Sequence, residues 1–275
     1  MQDHIMRDGN TIPPIGLGTY GMDDVQAEVA VAEAIRRGYR LIDTAQNYRN
    51  EHGVGQAIQR CGVEREELFV TTKIPGRDHG FDTTINSVHK SLERLNVDYL
   101  DLCLIHWPNP SQNLYVPTWK ALVRMQEEGK IRSIGVSNFL PEHIDRIVAD
   151  SGVTPAVNQI ELSPFYRQEE LTQYNAQNAI ITQCWSPLGR MKTLKNDAVF
   201  ADIAQQLGVT PAQVALRWAV QQQMVPIPKS ANLQRMEENI DVFTWELNPE
   251  QMKRITEYDK VAPCKGYNPL EHEEM

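Results

Sequence analysis

Short runs of β-branched and aliphatic residues recur along the chain at intervals of a few tens of residues, with amphipathic helical stretches between them. That alternation is the pattern of successive βα units. After a hairpin turning at Asp8-Gly9, the runs predict strands over 15–19, 41–45, 68–74, 100–106, 133–138, 156–161, 180–185 and 225–229. Their apolar character is nearly continuous, as in Leu100-Asp101-Leu102-Cys103-Leu104-Ile105. Strands buried on both faces of a parallel sheet require this. Val25, Val29, Ala32 and Ile35 form a helical stripe that stops at Gly38, a residue type favoured just past a helix end. Thr210-Pro211-Ala212-Gln213 and Asn248-Pro249-Glu250-Gln251 each offer an N-cap, a first-turn proline and a capping-box glutamine. No linker or composition shift divides the chain. The pattern therefore predicts one domain over residues 1–275, of α/β class: a closed (β/α)8 TIM barrel with an N-terminal β-hairpin and extra helices, rather than an open doubly wound sheet.

Composition narrows the function classes. With 41% hydrophobic and 23% charged residues the chain has material for a sizeable core, which excludes disordered and low-complexity classes. Its 27 basic and 36 acidic residues give a net charge of −9, so no global field holds nucleic acid or an anionic membrane. An anionic ligand must be caught by a local cluster. The start MQDHIMRDGN lacks the apolar core of a signal peptide, and no run approaches the ~18 apolar residues of a membrane span, so a cytoplasmic location is expected. The four cysteines lie far apart, Cys103 and Cys184 within apolar runs that suit free core thiols. The seven histidines are scattered without His-x-His or His-Glu-x-x-His spacing, so neither a disulfide framework nor a metal site is expected.

Barrel enzymes place their chemistry at the C-terminal ends of the strands. Here those ends are polar or aromatic almost throughout: Asp43 leading to Tyr48, then Lys73, His106-Trp107, Ser137-Asn138, Gln159, Trp185-Ser186 and Lys229-Ser230. Singly, each has a plain structural alternative: Asp43 as a turn cap, Tyr48 as a half-buried aromatic, His106 as a satisfied structural histidine. Lys73 is harder to dismiss, because lysine is rarely buried unless paired. Together they make a proton-donating system. A desolvated Lys73 ammonium beside Tyr48 is expected to favour the phenolate and lower the tyrosine's pKa, while Asp43 keeps Lys73 charged and His106 points a ring nitrogen at a substrate oxygen. Such a group suits protonation of a carbonyl oxygen as it gains negative charge.

The second half of the barrel offers a site for the electron source. Asn138 and Gln159 suit a carboxamide, Trp185 presents a flat face to a planar ring, and Lys229, Ser230 and Arg235 surround a predicted helix start that suits a phosphate. The plain alternative for Arg235 is a solvated pair with Glu238. Gly16-Leu17-Gly18-Thr19 lacks the third glycine and the spacing of a Rossmann fingerprint.

These residues carry a resemblance. Gly16-Leu17-Gly18-Thr19, Leu41-Ile42-Asp43-Thr44-Ala45 with Tyr48 and Asn50-Glu51, Thr72-Lys73, Leu104-Ile105-His106-Trp107-Pro108, Ile134-Gly135-Val136-Ser137-Asn138-Phe139, Asn158-Gln159-Ile160-Glu161 and Ile227-Pro228-Lys229-Ser230 occur in order over nearly the full length. In them the chain resembles the aldo-keto reductase superfamily, and within it is similar to the bacterial 2,5-diketo-D-gluconate reductases. The resemblance implies NADPH/NADP+ as cofactor, the tetrad Asp43, Tyr48, Lys73 and His106 with Tyr48 as acid, and a monomer acting on a small carbonyl compound such as a diketo sugar or small dicarbonyl. It implies that Ser137, Asn138 and Gln159 hold the nicotinamide carboxamide and Trp185 stacks on the ring. It implies further that Gly18, Thr19, Ser186 and Leu188 line the cofactor, that Lys229, Ser230, Asn232 and Arg235 surround the 2′-phosphate, and that Glu238 and Asn239 contact the adenine. Tyr20 and Trp107 are the implied pocket aromatics.

One departure stands out. Many relatives carry tryptophan two residues after the lysine, where this chain has Pro75, so a wall of the substrate pocket is lost or replaced. The stretch after Asp259 is short and ends Glu271-His272-Glu273-Glu274-Met275, so a long C-terminal specificity loop is not expected. Two rival functions use the same residues: a cofactor-sensing regulatory protein on the same barrel, for which a complete tetrad is unneeded, and an isomerase or lyase using Lys73 as a Schiff-base amine.

Overall fold

The computed structural model describes residues 2–189, 191–257, 263 and 266–274, with the side chain of Lys192 excluded. Cys264, expected to be a free thiol, lies outside the described residues. Strands β1 (His4–Ile5) and β2 (Thr11–Ile12) form the antiparallel hairpin, turned at Gly9 with φ +87°. Eight strands follow: β3 (Gly16–Gly18), β4 (Leu41–Asp43), β5 (Phe69–Ile74), β6 (Leu100–Ile105), β7 (Ile131–Ser137), β8 (Val157–Glu161), β9 (Ile181–Trp185) and β10 (Val225–Pro226). Each pairs in parallel with its neighbours in chain order from β3 to β10. A parallel bridge from Gly18 to Lys229, with the Gly18 amide donating to the Pro228 carbonyl at 3.2 Å, closes the sheet into the (β/α)8 barrel. The close approach explains the glycine: a Cβ on Gly18 would lie 3.0 Å from the Ile227 carbonyl oxygen.

All eight sequence-predicted strands are present, with shifted ends. β7 begins at Ile131, before the predicted 133, and β10 is much shorter than predicted. The latter has a local cause: Pro226 and Pro228 have no amide hydrogen to give to a ladder. Where the strands start, Ile12 and Met6 of the hairpin pack against Leu41, Phe69, Leu102 and Val225, so the hairpin seals that end. The opposite end stays open.

The helix Asp24–Arg36 corrects one expectation. Val25 and Val29 of the predicted stripe are 72% and 59% exposed, and the buried face is instead Ala27, Ala30, Val31, Ala34 and Ile35. Small side chains on that face allow close packing on the helix Glu51–Arg60, where the Gly53 amide donates to Asp24 Oδ1 at 2.7 Å. The two capping boxes, at Thr210 and Asn248, form as predicted. A Cβ added at Gly53 would overlap the Asp24 carbonyl. Gly53→Ala should therefore cost about 1–3 kcal/mol by overpacking, read as a lower urea midpoint with an unchanged slope.

Candidate active site

At the open end, a cleft of about 280 Å³ is lined from most of the strand ends. Gly18, Tyr20, Asp43, Tyr48, His106, Trp107, Asn138, Gln159, Trp185, Ser186 and Lys229 of the sequence-predicted residues all face it. The ladder carries several of them into place: the His106 amide donates to the Ile74 carbonyl and the Asn138 amide to the Gln159 carbonyl, extending β6 and β7 by one residue.

Lys73 lies beneath this cleft and is fully buried. Its Nζ donates to Asp43 Oδ1 at 2.6 Å, to the Thr44 carbonyl at 2.9 Å and to the Tyr48 hydroxyl at 3.4 Å. All three ammonium hydrogens thus have an acceptor. Burial lowers the Lys73 pKa, and the Asp43 carboxylate works against that fall. So engaged, and walled off from the cleft, Lys73 is poorly placed as a Schiff-base amine.

Tyr48 departs from the sequence expectation. Its pKa is raised well above 10 rather than lowered, by desolvation first and then by the Asp43 and Glu274 charges. The phenol is held protonated with a cation 3.4 Å from its oxygen, so it can give up a proton only to an atom that gains negative charge beside it. Tyr20 packs edge-on to Tyr48 at 5.2 Å between ring centroids, and His106 does so at 5.8 Å.

A polar network ties the proton-donating group to the far side of the barrel. Gln159 Nε2 donates to Asp43 Oδ2 and to Gln183 Oε1, both at 2.7 Å. Asn138 Nδ2 donates to the His106 carbonyl and to Ser137 Oγ, and its Oδ1 accepts from Trp185 Nε1 at 2.8 Å. Ser137 Oγ in turn donates to the Gln159 carbonyl. With both Nε2 hydrogens committed, Gln159 has its carbonyl oxygen left for an amide donor, and Asn138 fixes the Trp185 ring. Thr19 is buried beside the cleft, with both its amide and hydroxyl donating to the Asp43 carbonyl. Leu188 packs into the neighbouring apolar cluster.

The helix start expected near Arg235 is present. Asn232 caps the helix Leu233–Ile240 by accepting from the Arg235 amide at 3.0 Å, and the Ser230 hydroxyl accepts from the Asn232 amide. Lys229 and Arg235 are exposed. Glu238 accepts from Gln234 Nε2 rather than forming the considered pair with Arg235, and Asn239 is buried. A nicotinamide dinucleotide phosphate fits these donors: exposed cations flank a capped helix start for the phosphate, and Gln159, Asn138 and Trp185 converge where a ring amide would lie.

Sequence reasoning missed Asn47, Tyr267, His272 and Glu274, which also line the cleft. Residues 266–274 reach the cleft, which Tyr267, His272 and Glu274 help to line. Trp107 meets His272 at a tilt, 4.2 Å between ring centroids, and Tyr267 edge-on. Asn109 Nδ2 donates to the Glu274 carbonyl and Asn109 Oδ1 accepts from the Glu274 amide. Pro75 itself is buried away from the cleft lining, and Gly76 beside it leaves room that a Cβ would deny to Asn109 and the Glu274 carbonyl. Asn50 was quoted only as part of a motif, yet its Nδ2 pins the Thr19 and Met22 carbonyls while its Oδ1 accepts from Thr44, joining the two loops that carry Tyr20 and Tyr48.

Residues 14–260 match the aldo/keto reductase family model. The chain is 44% identical to 2,5-diketo-D-gluconic acid reductase B of Corynebacterium sp. over 98% of its own length and 97% of the relative's. It is 41% identical to methylglyoxal reductase DkgA of Escherichia coli K12, over 93% and 92%. A solved Bombyx mori aldo-keto reductase in complex with NADP superposes with a TM-score of 0.91 at 34% identity, covering 98% of each chain. The chain belongs to the aldo/keto reductase family, and is an oxidoreductase of that class.

Removing one member of the buried pair should be worse than removing both. Asp43→Ala should cost about 3–5 kcal/mol by leaving a buried ammonium without its counter-ion. Adding Lys73→Met to Asp43→Ala should return part of that loss, measured by urea unfolding of the two variants side by side.

Proposed function

We propose that the enzyme reduces an aldehyde or ketone to the alcohol with NADPH, Tyr48 acting as the proton donor. The observation that carries this reading is the half-buried Tyr48 hydroxyl, facing the cleft with the Lys73 ammonium 3.4 Å from its oxygen. When bound, NADPH supplies the hydride that converts the carbonyl carbon. The chain's own residues handle everything else. As the carbonyl oxygen gains charge, Tyr48 gives it a proton, and Lys73, held charged by Asp43, stabilises the phenolate left behind. His106, edge-on to Tyr48, helps fix that oxygen. Gln159 and Asn138 would hold the carboxamide and Trp185 the face of the ring. Ser230, Lys229 and Arg235 would take the 2′-phosphate. Carbonyl reduction is also the activity in the names of the diketogluconate and methylglyoxal reductases similar to this chain.

Tyr48→Phe should lower kcat on a small aldehyde by about 10²–10⁴, the usual contribution of general acid catalysis, while NADPH fluorescence titration shows binding retained. Turnover unchanged in that variant would exclude Tyr48 as the acid. Arg235→Ala should weaken NADPH by about 10- to 100-fold, the loss of one charge-assisted contact, and leave NADH nearly unaffected. Equal weakening of both cofactors would count against a 2′-phosphate role.

A further inference from the structure

The cleft that holds Tyr48 and His106 also holds a carboxylate that the proton transfer does not use. Glu274 Oε1 lies 2.8 Å from His106 Nδ1, with the Glu274 side chain only 15% exposed. Its position is built rather than incidental. Asn109 binds the Glu274 backbone through both its amide and its carbonyl, Gly76 leaves the space that the carbonyl occupies, and Glu273 Oε1 accepts from the Ser111 amide one residue away. Trp107 and His272, in tilted contact with each other, line the same cleft.

We infer that Glu274 is a specificity-determining residue, which biases the enzyme toward uncharged carbonyl substrates and against those carrying a carboxylate close to the reacting carbonyl. The inference rests on the carbonyl-reductase reading and adds to it a substrate class. A carbonyl oxygen within reach of Tyr48 and His106 brings the rest of its molecule past the Glu274 carboxylate. Like charges a few ångströms apart in a partly desolvated site repel strongly, because water screens them poorly. Burial works to raise the Glu274 pKa, but its neighbours, His106 first, outweigh this and hold it below the usual range, so the group is charged at neutral pH.

Beyond His106, with which Glu274 pairs at 2.8 Å, the nearby cations are committed elsewhere. Lys73 is already engaged by Asp43, and Lys229 belongs to the segment assigned to the cofactor phosphate. Residues 266–274 therefore contribute a wall that rejects anions as well as one that fills space.

The test compares 4-formylbenzamide with 4-formylbenzoate, nearly isosteric aldehydes that differ by one charge, each with NADPH. The wild-type enzyme should favour the amide in kcat/KM by about 10- to 100-fold, the size of a close like-charge penalty. Glu274→Gln keeps the backbone contacts to Asn109 and should shrink that ratio at least about fivefold. Glu274→Asp, which retains the charge, should keep most of the preference. Glu273→Gln removes a charge next door but outside the cleft lining, and should leave the ratio unaltered, which excludes a mere change of overall charge. A wild-type ratio near one, or a Glu274→Gln variant that changes both substrates by the same factor, overturns the inference while leaving the carbonyl-reductase reading standing. If neither aldehyde is reduced, that reading falls and the inference falls with it.

Discussion

A lysine with no exposed surface constrains everything around it. Lys73 points from β5 into the barrel, and an ammonium there is tolerable only with a counter-ion and an acceptor for each hydrogen. Asp43, the Thr44 carbonyl and the Tyr48 hydroxyl meet that demand from β4 and the turn that follows it. The register of β4 against β5 is therefore set by the same contacts that arm the phenol. Stability and chemistry share one geometry, in which the cation is aimed where negative charge develops and nothing needs to reorganise when it does.

From Asp43 the constraint spreads across the barrel. Its second carboxylate oxygen takes a hydrogen from Gln159, whose other amide hydrogen goes to Gln183. Asn138, in the left-handed region at φ +61°, spends its amide on the His106 carbonyl and Ser137 while its oxygen locks the Trp185 indole. The platform suited to a planar ring is thus anchored to the strand that carries His106. A change at Asn138 would loosen the ring face and the strand end together.

The barrel was legible because alternation of apolar strand and amphipathic helix is a local property, repeated enough times to survive errors at element ends. The strand-end residues were legible because that fold tells where chemistry must sit. Two things escaped. The buried face of the helix Asp24–Arg36 is set by how closely the helix Glu51–Arg60 approaches, which favours alanines over the valines that hydropathy alone selects. The Tyr48 pKa was misjudged because proximity to Lys73 is visible in the motif, whereas the depth of burial that opposes it is a product of the whole fold. Gly266–Glu274 has neither periodicity nor a turn signature that marks a pocket wall, and its place depends on Asn109 and Gly76, far away in the chain.

That last segment differs in kind from the rest of the cleft. Asp43, Lys73 and Gln159 lie within strands, with their backbones held on both sides by the barrel, and His106 and Asn138 extend it by one ladder bond each. Glu274 is held by side chains and loop backbone, Asn109 on its main chain and His106 on its carboxylate, with no strand ladder on either side. Few strong contacts mean that sequence change there alters what the mouth admits at little cost to the barrel, whereas change at the strand ends disturbs the ion pair and the network through it. The proton chemistry and substrate choice proposed for this cleft are separable because the residues of one are built from the ladder and those of the other are laid over it.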